Sequence, residues 1–220
     1  MKKFGKLSAV IWDLDGVIVD SEPQHFKSWQ DTFQCYSLNI SDSQLRQTFG
    51  MTSPEVMRML LGADADAAFI SKICDEKEAL FRVLIKDQAA YLPGVETWLA
   101  RFKEADIRQA LASSGSMENI NTTLDTLGTR PFLKEIVSGI GLPSKPDPEI
   151  FLKAARLLGI PANACLVIED SIAGVAGAKA AGMKCLAVMT TNPAKLLSAA
   201  DVIVKNLELL SKTKISELFR

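Results

Sequence analysis

The sequence contains a single histidine, His25, among 220 residues, and this scarcity excludes several kinds of catalytic site. Zinc hydrolases with an HExxH helix need two histidines and are therefore excluded. A Ser-His-Asp triad would have to use His25, and the GxSxG motif that presents the serine in α/β-hydrolases does not occur. The four cysteines lie far apart and form no CxxC pair, which favours reduced structural thiols and a cytoplasmic location.

The chain also has little net charge and no long apolar run. Its 25 basic and 26 acidic residues give a formal net charge of −1, so we expect no nucleic-acid partner and a solvated terminus at Lys2, Lys3 and Lys6. No stretch approaches the ~20 apolar residues of a membrane span, and the run that ends at Trp12 is too short for a signal peptide. A globular cytoplasmic protein without a membrane partner is predicted. The oligomeric state stays open, and a monomer is compatible with the sequence.

Short apolar runs alternate with helical patterns along most of the chain. Such runs are typical of strands that are buried on both faces of a parallel sheet. They lie at residues 8–12, 107–112, 135–137, 165–168, 185–188 and 202–204. Helical patterns lie at residues 117–127, 148–158 and 172–181, each followed by a glycine that we expect in the left-handed conformation. The alternation predicts an α/β fold with a doubly wound, Rossmann-like parallel sheet.

One segment, residues 20–90, interrupts this alternation and contains helical patterns only. A capping box begins at Ser41, and Ser53 is predicted to be the N-cap of a helix that starts with Pro54. We therefore predict an α/β core domain made of residues 1–19 and 91–220, with an inserted α-helical cap domain made of residues 20–90.

Polar side chains follow several of the predicted strands, where an open α/β sheet binds its ligands. They are Asp13, Asp15, Ser113, Ser114, Lys145, Glu169 and Asp170. Four carboxylates at one edge repel each other unless a cation neutralises them, and oxygen ligands favour a hard divalent ion such as Mg²⁺. A lysine and serine hydroxyls beside this ion suit a phosphoryl group, so the predicted ligand is a small phosphate ester.

These residues lie in four motifs that resemble, in order, those of the haloacid dehalogenase superfamily. The motifs are Asp13-Leu14-Asp15-Gly16-Val17, Leu111-Ala112-Ser113-Ser114, Ser144-Lys145-Pro146-Asp147-Pro148 and Glu169-Asp170-Ser171. The resemblance covers essentially the whole chain. A helical insert directly after the first strand is similar to that of the β-phosphoglucomutase-like members.

The resemblance implies a role for each motif residue. Asp13 would attack phosphorus and form an aspartyl-phosphate intermediate, and Asp15 would act as acid and then as base, for which we expect a raised pKa. Ser113 and the Ser114 amide would hold phosphate oxygens, and Lys145 would act as a catalytic residue that bridges Asp13 and the phosphate. The Mg²⁺ ligands would be Asp13, Asp15 through its carbonyl, Glu169 and Asp170.

The same resemblance points to residues of the cap that would approach the substrate. His25 and Trp29 lie one helical turn apart and match positions in the mutases, although packing inside the cap is the alternative. Lys77 matches a cap lysine of the mutases, with a solvated helix face as the alternative. Ser53 stands where the mutases carry an arginine that grips a second phosphate.

The predicted function is that of a Mg²⁺-dependent phosphatase acting on small phosphorylated metabolites, with sugar phosphates as the expected class. A hexose-phosphate mutase of the β-phosphoglucomutase type is the alternative, but it must hold a bisphosphate at both ends. A haloacid dehalogenase would not need Asp15 or the metal ligands. A phosphonate hydrolase would need a Schiff-base lysine, for which Lys77 is the one candidate. A non-catalytic relative would have lost Asp13 or Asp15, and both are present.

Overall fold

The computed structural model describes residues 4–48 and 51–220, so Lys2 and Lys3 lie outside the described residues. Lys6 is exposed, as expected. Six parallel strands form one sheet in the order β3-β2-β1-β4-β5-β6. They are β1 (Ala9–Trp12), β2 (Arg108–Ser113), β3 (Glu135–Ser138), β4 (Cys165–Glu169), β5 (Lys184–Val188) and β6 (Val202–Val204). The predicted α/β sheet is confirmed.

The described residues also form nine α-helices. They are α1 (Glu22–Cys35), α2 (Asp42–Arg46), α3 (Ser53–Leu61), α4 (Ala67–Gln88), α5 (Val95–Glu104), α6 (Met117–Leu127), α7 (Glu149–Leu158), α8 (Ile172–Ala180) and α9 (Lys212–Leu218). None of these helices is long and apolar enough to cross a membrane. The glycines predicted to follow α6, α7 and α8 all have positive φ angles.

Strand β1 lies in the middle of the sheet because it is apolar on both faces. Its residues are all buried, and alternate side chains enter two different clusters. Val10 and Trp12 contact the apolar residues of α5 and α6, whereas Ala9 and Ile11 contact those of α7 and α8. Helices therefore cover both faces of the sheet, which is the doubly wound arrangement.

Helices α1 to α4 build a hydrophobic cluster of their own. It contains Trp29, Phe33, Leu45, Val56, Met57, Ile70, Ile73 and Cys74. Helix α4 takes part in both regions, because Phe81 and Ile85 from its second half belong to a cluster of the sheet. The separate cluster supports a cap at residues 20–90, and the division into two domains stays a prediction.

Two details of the helices differ from the sequence analysis. The N-cap of α3 is Thr52 and not Ser53, because the Glu55 carboxylate accepts hydrogen bonds from the Thr52 amide at 2.9 Å and from its hydroxyl at 2.7 Å. Helices α5 and α9 are not predicted from the sequence. The buried residues Val95, Trp98, Leu99 and Phe102 of α5 have helical spacing, so the signal for this helix is present in the sequence.

Candidate active site

Three buried carboxylates meet where β1 and β4 end. Trp12 and Ile168 are paired neighbours in the sheet, so the chain leaves both strands at the same edge and brings Asp13 close to Glu169 and Asp170. One oxygen from each carboxylate lies within 4.8 Å of the others. Their residues are 7%, 0% and 2% exposed. This edge is also where the strand order reverses, which is the usual ligand site of a doubly wound sheet.

Lys145 reaches the same cluster from the loop that precedes α7. Its Nζ donates to Asp13 Oδ1 and to Glu169 Oε1, each at 2.6 Å. Burial by itself would lower the pKa of Lys145, but the two carboxylates outweigh burial and raise this pKa above its ordinary value. The ammonium group of Lys145 is therefore charged. Its single positive charge does not balance the three carboxylates of the cluster if all three are ionised.

The pKa values of Asp13 and Asp170 are raised by burial and by the negative charge of the neighbouring carboxylates. Burial raises the pKa of Asp13 well above its ordinary value, and repulsion by Glu169 adds to this effect although Lys145 opposes it. Burial and Glu169 together raise the pKa of Asp170 to about 8. A divalent cation would neutralise this charge, and a donor set made of oxygen atoms alone fits a hard ion such as Mg²⁺.

Glu169 differs from the other two carboxylates because both of its oxygens already have partners. Oε1 accepts from Lys145, and Oε2 accepts from the Asp170 amide at 3.0 Å and from the Ser171 amide and hydroxyl at 3.1 and 3.0 Å. Gly174 of α8 makes room for this arrangement, since a Cβ there would lie 1.9 Å from Glu169 Cδ. Glu169 thus fixes Lys145 and the start of α8, and its role as a metal ligand stays a prediction.

Asp15 lies two residues after Asp13 and has a different environment. Its Oδ1 accepts a hydrogen bond from Ser21 Oγ at 2.5 Å and lies 3.6 Å from His25 Nε2. Burial would raise the pKa of Asp15, but the interactions with His25 and Ser21 outweigh burial and lower it below its ordinary value. The expected raised pKa is therefore wrong for this structure, because these donors stabilise the ionised form.

On the cap side, a buried lysine contacts His25. Lys77 is 2% exposed, and its Nζ lies 2.8 Å from His25 Nδ1 and 3.1 Å from Glu78 Oε1. The ring of Trp29 lies 5.2 Å from the same nitrogen, and His25 stacks on Phe81. Burial and the neighbouring Lys77 lower the pKa of His25. Because Lys77 is buried among these groups, the alternative of a solvated helix face for Lys77 is wrong.

A cavity of about 310 Å³ separates the sheet edge from the cap helices. Its wall includes predicted residues from both sides, namely Asp13, Asp15, Ser114, Lys145, Asp170, His25, Trp29, Ser53 and Lys77. Ser113 is buried at the end of β2, where its Oγ accepts a hydrogen bond from the Gly115 amide at 3.1 Å. Ser53 donates a hydrogen bond to Glu78. Nine of the predicted residues thus line one cavity, whereas Ser113 and Glu169 are buried and do not line it.

Several residues that hold this site together are not predicted from the sequence. Ser21 contacts Asp15, and Thr191 with Asn192 contacts Asp170. Asn119 of α6 donates to Glu78 of the cap helix α4. Thr191 comes three residues after β5, so the rule about the carboxyl ends of strands was a signal that could have found it.

Comparisons with known proteins agree with this geometry. A sequence model described as "Hydrolase: haloacid dehalogenase-like hydrolase" matches residues 7–182. The chain is 30% identical to the phosphorylated carbohydrates phosphatase of Thermotoga maritima, over 94% of the chain and 99% of that protein. A crystal structure of β-phosphoglucomutase from Clostridium difficile superposes with a TM-score of 0.86 and 26% identity, covering 97% of each chain. The chain is also 31% identical to the chloroplastic SUPPRESSOR OF QUENCHING 1 protein of Arabidopsis thaliana over 90% of its length, but it spans only 19% of that relative.

Proposed function

Since the chain belongs to the haloacid dehalogenase-like hydrolase family, we propose that it is a Mg²⁺-dependent phosphatase of small phosphorylated metabolites, with sugar phosphates as the main substrate class. One observation carries the proposal. The Asp13 carboxylate lies 2.6 Å from Lys145, shares a buried acidic cluster with Asp170, and lines the cavity between the sheet edge and the cap helices. A carboxylate with these neighbours suits nucleophilic attack on a phosphate ester.

Electrostatics decides whether such an attack is possible. An anionic carboxylate that approaches a phosphate dianion is repelled by about 4 kcal/mol for each pair of unit charges, at ~4 Å and an effective dielectric constant near 20. Lys145 offsets part of this repulsion. When bound by Asp13 and Asp170, Mg²⁺ would supply two further positive charges and draw charge from the phosphate oxygens. In the first step an oxygen of Asp13 would form a bond to phosphorus while the bond between phosphorus and the ester oxygen breaks, and the ester oxygen would leave as an alcohol with a proton from Asp15.

Asp15 would handle the protons in both halves of the reaction. Its lowered pKa suits the second half, in which an ionised Asp15 accepts a proton from the water that attacks the aspartyl phosphate. In the first half Asp15 must instead give a proton to the leaving oxygen. A phosphate dianion in the cavity would favour the protonated form of Asp15 by repulsion, so we expect the substrate to bring about this change.

Mutase activity is the second candidate, and the similarity to β-phosphoglucomutase structures together with the His25, Trp29 and Lys77 cluster favours it. A mutase must also bind a second phosphate. Two cations of the cap wall are already paired, since Lys77 contacts Glu78 at 3.1 Å and Arg46 donates to Glu22 at 3.0 Å. With Ser53 in place of an arginine, the cavity suits a neutral group beyond the single phosphate better than a second anion.

The test is release of inorganic phosphate from a set of sugar phosphates. We expect turnover by the wild-type protein in Mg²⁺, and loss of turnover in Asp13→Asn and after EDTA treatment. Asp64→Asn is the matched control, because Asp64 is exposed in the turn between α3 and α4. Mg²⁺-dependent turnover by Asp13→Asn would falsify the proposal.

The mutase alternative needs a separate assay. Conversion of β-glucose 1-phosphate to glucose 6-phosphate in the presence of glucose 1,6-bisphosphate would favour it, whereas phosphate release without isomerisation would favour the phosphatase. The cytoplasmic location and the absence of nucleic-acid partners stay predictions from composition.

A further inference from the structure

Thr191 and Asn192 form a small hydrogen-bonded group against Asp170. The Thr191 hydroxyl lies 2.6 Å from Asp170 Oδ2 and 3.1 Å from the Asp170 carbonyl oxygen. Asn192 Nδ2 donates to the same hydroxyl at 3.0 Å and to the same carbonyl at 3.2 Å. Because Thr191 Oγ1 accepts from Asn192, its own hydrogen is directed to Asp170, and the shorter distance favours the carboxylate.

Gly16 contacts the Asp170 carboxylate as well. It has a φ of +80°, and a Cβ at this position would lie 2.0 Å from Asp170 Oδ2 and 3.2 Å from Thr191 Cγ2. The carboxylate is therefore held between the backbone of the motif that contains Asp13 and the hydroxyl of Thr191. Rotation of the carboxylate would move Oδ2 away from the Thr191 hydroxyl and break this hydrogen bond.

This arrangement affects the two oxygens of Asp170 differently. Oδ2 accepts a hydrogen bond from the Thr191 hydroxyl, whereas Oδ1 accepts no hydrogen bond from any residue in the described part of the chain. One oxygen of Asp170 also lies within 4.8 Å of ligand atoms from Asp13 and Glu169. Fixing one oxygen of a carboxylate orients the other and lowers the cost of binding an ion there.

We propose that Thr191 is a positioning residue that sets the affinity of the site for Mg²⁺ by holding the Asp170 carboxylate in one orientation. This inference rests on the proposed function, because it assumes that Asp170 binds the ion. Outer partners of metal ligands typically change metal affinity by about 10- to 100-fold when they are removed. Thr191→Val has nearly the same shape but lacks the hydroxyl, so we expect a loss in that range.

The experiment measures Mg²⁺ binding to the purified full chain by isothermal titration calorimetry. We expect weaker binding by Thr191→Val and near wild-type binding by Thr191→Ser, which keeps the hydroxyl. Thr190→Val is the matched control, since Thr190 is exposed and makes no side-chain hydrogen bond to the described residues. In the phosphatase assay, Thr191→Val should need more Mg²⁺ for half-maximal rate, while the substrate KM at saturating Mg²⁺ stays unchanged.

Unchanged Mg²⁺ affinity in a folded Thr191→Val protein would overturn the inference. If Thr191→Val does not fold, Asn192→Ala decides, since it removes the donor that orients the Thr191 hydroxyl. Weaker Mg²⁺ binding by Asn192→Ala then supports the inference, and unchanged binding overturns it. A wild-type protein that binds no Mg²⁺ overturns both the inference and the proposed function. Wild-type binding with an unaffected Thr191→Val contradicts only the role of Thr191.

Discussion

Replacing Lys145 by methionine removes the charge that two buried carboxylates share. In the wild-type protein, the Lys145 Nζ lies 2.6 Å from both Asp13 and Glu169, and Glu169 is fully buried. Breaking a buried ion pair by removing one partner typically costs about 3–5 kcal/mol, because the other charge stays buried without compensation. Total stabilities are about 5–15 kcal/mol, so the loss should be plain in an unfolding experiment.

The pH dependence of this loss has a definite sign. Without Lys145, burial and repulsion by the neighbouring carboxylates should raise the pKa of Asp13 further above its unfolded value. A raised pKa in the folded state means that stability is lost as the pH rises through that pKa and is regained at lower pH. We therefore expect the free energy of unfolding of Lys145→Met to fall further below that of the wild-type protein at pH 8 than at pH 5.

Urea unfolding in EDTA at both pH values measures this difference. Lys134→Met is the matched control, because Lys134 is exposed and lies away from the cluster. A Lys145→Met protein that is as stable as wild type at both pH values would show that Lys145 does not stabilise the buried carboxylates. A loss that does not depend on pH would show that Lys145 acts through packing and not through charge.

Two further predictions concern Gly16 and Asp201. Gly16→Ala should weaken Mg²⁺ binding and abolish phosphate release, because the new Cβ would collide with Asp170. Gly128→Ala is the control, since Gly128 also has a positive φ but a Cβ there would meet no atom within 4 Å. Both variants should lose about 1–2 kcal/mol of folding stability because alanine disfavours the left-handed backbone, but only Gly16→Ala should bind Mg²⁺ more weakly, and equal Mg²⁺ affinities would contradict this prediction. Asp201 accepts from Lys179 at 2.6 Å and from the Cys185 amide at 2.8 Å, and these bonds outweigh burial and lower its pKa. Asp201→Asn should therefore lower the free energy of unfolding, measured in urea at pH 7, by about 1–3 kcal/mol. This loss should disappear as the pH falls below about 4, where Asp201 of the wild-type protein becomes protonated. A loss that persists in acid would mean that the negative charge of Asp201 is not its cause.

The sequence predicts the parts of the fold whose signals are local and strong. Strands β1 and β4 are continuous apolar runs because both faces of the sheet are covered, and the motif residues follow directly at their carboxyl ends. Asp13, Glu169 and Asp170 could therefore be assigned to one edge without coordinates. Helix α5 could have been found in the same way from the spacing of its buried residues.

Other features depend on contacts between distant segments and give no local signal. The burial of Lys77 follows from the packing of α1 against α4, which brings His25 to 2.8 Å from its Nζ. The lowered pKa of Asp15 depends on where Ser21 and His25 lie after folding. Thr190 and Thr191 are adjacent and chemically identical, and only the path of the chain after β5 decides which one contacts Asp170.

The decisive measurement is a crystal structure of the wild-type protein grown with Mn²⁺, because Mn²⁺ has an anomalous signal and binds oxygen ligands as Mg²⁺ does. We expect an anomalous peak between Asp13 and Asp170, at the ends of β1 and β4. A protein that is saturated with the ion but shows no peak at this edge of the sheet would mean that these carboxylates do not form the metal site.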